Sequence, residues 1–68
     1  MNQYLPGDEV YFFEFSSSGK VLMKGTIFQE SSVHENSYVV AIKYAFRLVS
    51  AEQISQGRLY KMLQEVLE

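Results

Sequence analysis

The sequence predicts a mainly β domain, a small antiparallel barrel built as a meander, followed by one amphipathic helix at the C-terminus. Three observations carry that expectation. Segments rich in β-branched and aromatic residues recur between Asp8 and Val49, each bounded by glycine, serine or a polar loop. From Arg58 onward the period changes, and Leu59, Met62, Leu63, Val66 and Leu67 recur at helical spacing. With 68 residues there is room for one core and no second domain, since so short a chain buries only about 60% of its unfolded surface.

Pro6 and Gly7 form a turn, and Asp8 to Phe15 follows as the first strand. Val10 and Phe12 share one face of it while Tyr11, Phe13 and Phe15 share the other, so both faces require cover. Ser16 to Gly19 is a short reversing loop. Lys20 to Gln29 is the second strand, and its interior Gly25 predicts a bulge or a sharp bend where a side chain would clash. Glu30 to Asn36 is a longer polar loop. Ser37 to Lys43 and Tyr44 to Val49 both alternate and form two further strands with a tight reversal near Lys43 to Ala45. The expected core set is Ile27, Val40, Ile42 and Phe46. Ser50 with Gln53 three residues on is a capping-box pattern, which predicts a short helical turn over Ser50 to Ile54. The division is thus a barrel over residues 6–54 and a helix over 57–68.

Four stretches, Pro6-Gly7-Asp8-Glu9-Val10, Lys24-Gly25-Thr26-Ile27, Tyr38-Val39-Val40 and Ala51-Glu52-Gln53-Ile54, stand in the order found in small barrels. In this the chain resembles the SH3-like barrels of the Tudor and KOW kind. There a Gly-Asp-x-Val opening starts the first strand, a Gly-x-Ile step bends the second, and a short turn precedes the last. The resemblance is one of architecture and implies an SH3-like fold, with little bearing on function. The opening is also similar to the small plasmid-type dihydrofolate reductase barrel. Ala45-Phe46-Arg47-Leu48 stands where that family carries the Val-Gln-Ile-Tyr segment of its pore, so a reductase is not the expectation.

Composition excludes several classes. There is no cysteine and a single histidine, His34, so neither disulfides nor a structural metal site is expected. No cofactor is expected either, because Gly7, Gly19, Gly25 and Gly57 are isolated and form no phosphate cradle. His34 lies in a polar loop, and the serines at 16–18 and 31–32 have no histidine and acid in train, so no catalytic residue is assigned. No apolar run approaches a membrane span, and the opening MNQYLPGDEV carries no basic or apolar leader, so a cytoplasmic protein is expected. Net charge is −2, which disfavours general nucleic-acid binding.

What remains is binding. Aromatic residues make up 15% of the chain, more than a barrel of this size can bury. Tyr11, Phe13, Tyr44 and Phe46 are the candidates for an aromatic groove that takes a protein partner, as Tudor-type and SH3-type barrels grip methylated or proline-rich segments. The plainer reading, favoured because an amphipathic helix needs an apolar bed, is that these rings pack beneath it. Lys24, Lys43 and Arg47 are the candidates for the alternative, an outward basic face contacting nucleic acid. The C-terminal helix either folds back onto the barrel, which is preferred, or pairs with a second copy as a homodimer. The favoured function is accordingly a non-enzymatic accessory or regulatory module that binds a protein through exposed aromatics or the helix.

Overall fold

A computed structural model describes residues 4–67. Met1 to Gln3 and Glu68, the last position of the expected helix, lie outside the described residues. The elements run β1 (Glu9–Ser16), β2 (Gly19–Glu30), β3 (Ser37–Ile42), β4 (Ala45–Ser50) and α1 (Ala51–Leu67). Each strand pairs antiparallel with its sequence neighbour, in the order β1-β2-β3-β4.

The expected SH3-like barrel is corrected to an open meander, in which β1 and β4 are both edges and no ladder joins them. The reason lies in the chain after β4. Closing a barrel requires backbone groups to saturate both edges, and the residues that would supply them are helical instead. Ser50 accepts the Gln53 N–H at 3.1 Å, and the Gln53 side-chain oxygen accepts the Ser50 N–H at 2.9 Å, a complete capping box. The Ala51 N–H is taken by the Asn36 carbonyl at 2.7 Å. Val49 and Ile54, on either side of this cap, are both buried in the core, the arrangement of a hydrophobic staple. A helix nucleated here continues without a break, so the expected short turn and the expected helix are one element beginning at Ala51 rather than Gly57.

The core is Val10, Phe12, Ile27, Tyr38, Val40, Val49 and Ile54, lying between the concave sheet face and the first turns of the helix. Two corrections follow from register. Lys43 and Tyr44 form a two-residue turn that sets Ile42 opposite Ala45. With a side-chain period of two, Ala45, Arg47 and Val49 then share the concave face, and Phe46 and Leu48 face outward. Phe46 is therefore not a core residue but 58% exposed. The register irregularity of β2 falls between Ile27 and Gln29, at Phe28, and not at Gly25. Gly25 is regularly paired with Val10, and its small size serves packing, since a Cβ there would lie 2.5 Å from Val40 Cγ1 and 2.9 Å from the Ala41 carbonyl oxygen. Among the described residues no helix is long and apolar enough to cross a membrane.

The gap between the edges is spanned by side chains. Glu14 of β1 and Arg47 of β4, both on the concave side, form an ion pair across it. The helix then passes the free edge of β1, crossing it at Gly57, where a Cβ would stand 2.6 Å from the Tyr11 carbonyl carbon and 2.8 Å from Phe12 Cα. At this crossing only glycine permits backbone to meet backbone.

Candidate functional site

Two apolar surfaces remain uncovered, and each arises from a local rule of the chain. The first is the outer face of the sheet. Alternation from buried Ile27 turns Phe28 outward, and the two-residue turn does the same for Phe46. Their rings meet edge to face, centroids 5.2 Å apart, across β3, where Ala41 lies opposite Phe46 and is small enough to leave the space. Leu48 and half-buried Val39, directly opposite one another, extend this cluster. Phe28, Phe46 and Leu48 are each more than half exposed, and Tyr44 stands in the neighbouring turn at 89% exposure beneath Lys43, whose Nζ is 5.4 Å from the ring.

The four candidate aromatics thus divide. Phe46 belongs to this exposed cluster, and Tyr44 is exposed in the turn that precedes it. Tyr11 and Phe13 are half-buried on β1, where the helix reaches them: Tyr60 packs edge to face on Phe13 at 5.1 Å, and Lys61 Nζ lies 5.6 Å from the Tyr11 ring. Lys20 caps Phe13 from the paired strand at 4.4 Å. No single groove contains all four rings. Phe28 and Leu48 were missed as candidates: Leu48 follows Phe46, whose face is set by the length of the turn, and Phe28 stands at the register irregularity of β2.

The second surface is on the helix. Its first half buries Ile54 and Gly57 against the sheet. Among the described residues beyond Gly57 none is buried, and Leu59, Met62, Leu63, Val66 and Leu67 are all more than half exposed. At 3.6 residues per turn this stripe lies on the side of the helix opposite Gly57. The apolar residues change face at the crossing point, so packing on β1 cannot cover both sets.

The basic candidates do not form one face. Arg47 lies on the concave side bound to Glu14, Lys24 lies on the outer side 3.4 Å from Glu9, and Lys43 is in the turn over Tyr44. His34 sits exposed in the loop between β2 and β3, its backbone N–H bound to Ser31 Oγ at 3.1 Å. Among the described residues no group of three histidines, cysteines or carboxylates converges as a metal site, and no buried side-chain polar atom lacks a partner. A hollow of about 470 Å³ is bordered by Glu35, Asn36, Tyr38, Ser50, Glu52 and Ser55, and it opens widely to solvent beside the helix cap.

Fold and surface together define a small mainly β protein, a four-stranded antiparallel meander whose C-terminal helix covers one edge. In comparison with known proteins, no family model, curated sequence or solved structure matches the chain.

Proposed function

We propose that this chain is a small non-enzymatic interaction module that docks a protein partner on the outer face of its sheet. The observation that carries this reading is the exposed Phe28–Phe46 pair, extended by Leu48, with Tyr44 exposed in the neighbouring turn. Adjacent aromatic and aliphatic side chains left in water by a chain with so few residues to spare mark a surface built to be covered. Aromatic anchors of this kind contribute most of the energy in protein interfaces when a partner desolvates them. Rings already packed against one another also lose little conformational freedom on binding.

Nucleic-acid binding has less to support it, because Lys24 and Arg47 are matched by carboxylates on different sides of the sheet. The test is a parallel capture from the source cell extract with the wild-type chain and with Phe46→Ser. Removing one ring of the pair should cost about 1–2 kcal/mol, and circular dichroism of the variant checks that it remains folded. A protein retained by the wild type should bind Phe46→Ser and Phe28→Ser at least about tenfold more weakly when purified. Equal binding by all three chains would remove the sheet face as the docking surface.

A further inference from the structure

We infer that the C-terminal half of α1 is a homodimerisation stripe that pairs antiparallel with the same stripe of a second copy. This surface is separate from the outer sheet face, and the inference does not depend on the function proposed for that face. The stripe itself is Leu59, Met62, Leu63, Val66 and Leu67, solvent-facing over its whole length and reaching 80% exposure at Val66 and 85% at Leu67. Its spacing of three and four residues is that of a helix–helix seam. An isolated apolar stripe fits many helices, and the charges beside it select the occupant.

Arg58 and Glu65 are seven residues apart in sequence and so project from the same flank of the stripe. Both are exposed, and among the described residues neither takes part in an ion pair within the chain. When two copies pair antiparallel about a two-fold axis near Met62 and Leu63, Leu59 of one meets Val66 of the other. Like flanks then face each other, and Arg58 of each copy comes beside Glu65 of its partner. The surface is self-complementary in both apolar and charged parts, which is the requirement for an isologous interface. A parallel pair would bring the Arg58 flank against the opposite flank of its partner and leave both charges unmatched. Antiparallel helices also oppose their dipoles favourably.

Two stripes of this length cover less than the roughly 1,600 Å² of a standard interface. The dimer is therefore a concentration-dependent one rather than an obligate pair.

Sedimentation equilibrium across the micromolar range should show a monomer–dimer equilibrium that Leu63→Glu abolishes, with the circular dichroism of the dilute monomer unchanged. Arg58→Glu should weaken dimerisation about tenfold, and the swap Arg58→Glu with Glu65→Arg should restore it. The chain has no cysteine, so orientation can be read by single introduced thiols. Leu63→Cys should oxidise to a disulfide-linked dimer, whereas Leu59→Cys should cross-link with Val66→Cys and not with itself. A strict monomer at high concentration overturns the inference. So does a dimer that survives Leu63→Glu, or self-linking by Leu59→Cys. Phe46→Ser should leave the equilibrium untouched, which keeps this result distinct from that for the sheet face.

Discussion

Gly57 carries a contradiction between local and global preference. Alanine is favoured over glycine inside a helix by about 1 kcal/mol. Yet a Cβ at this position would press into the Tyr11 carbonyl and Phe12 Cα, which are backbone and cannot rotate away. Overpacking of this kind costs about 1–3 kcal/mol after relaxation, and more where the helix must lift bodily. Set against the propensity gain, Gly57→Ala is expected to lower the melting temperature by up to about 15 °C. A thermal melt that rises instead would show that the helix does not rest on β1. Gly25→Ala should behave similarly, because one of its two close neighbours is the fixed Ala41 carbonyl. Of these two glycines only Gly25 stood out in the sequence, as a place where a side chain would clash, while the bulge expected there falls at Phe28. Gly57 reads there merely as a gap before the helix, since its contact with β1 joins residues more than forty apart in sequence.

Among the elements, the helix is two half-helices with opposite loyalties. Its start is written locally: Ser50 and Gln53 cap it, and the Val49 and Ile54 pair anchors it, all within six residues. Such a motif depends on nothing distant, so its capping box could be read from Ser50 and Gln53, though as a short turn apart from the helix rather than as its start. Ser50→Ala is expected to cost about 1 kcal/mol. Ile54, only 1% exposed, should cost about 2–5 kcal/mol when cut to alanine, through lost burial and the cavity left behind. Leu63→Ala, one turn and more beyond the crossing, should stay within about 0.5 kcal/mol in dilute solution. Chemical denaturation of the three variants checks this order. Comparable losses at Ile54 and Leu63 would mean that the second half also packs on the sheet. Strand faces were harder to read than the helix cap. A reversal near Lys43 was evident, but its length decides the phase of β4. One residue more or less exchanges Phe46 with Arg47 on the concave face. Apolar content alone favours Phe46 inward, and turn geometry overrides it. The exposed cluster is a consequence of that override, which is why Phe46 was expected in the core and Leu48 beside it was not singled out.

For the whole molecule, the open sheet leaves two edges to manage, a hazard for any small β protein. The helix lies against β1, and the side chains of Glu14 and Arg47 reach across to β4. Closure was not legible, because a meander of this strand order fits an open or a closed sheet equally well. What decides is the competing helix at Ser50 and a long-range pair drawn from opposite ends of the sheet. Arg47 and Glu14 are each partly exposed, so solvent screens their attraction and the pair contributes about 0.2–1 kcal/mol. Arg47→Glu replaces attraction with repulsion between two carboxylates at the same gap, and a destabilisation of about 1 kcal/mol is expected. The exchange Glu14→Arg with Arg47→Glu should recover most of it, giving a coupling energy by a double-mutant cycle. That coupling should shrink in 1 M salt, where the screening length falls to about 3 Å. If the reversed pair recovers nothing, the two edges are held by the helix alone, and Gly57→Ala should then also loosen β4, seen as faster amide exchange over Ala45–Ser50.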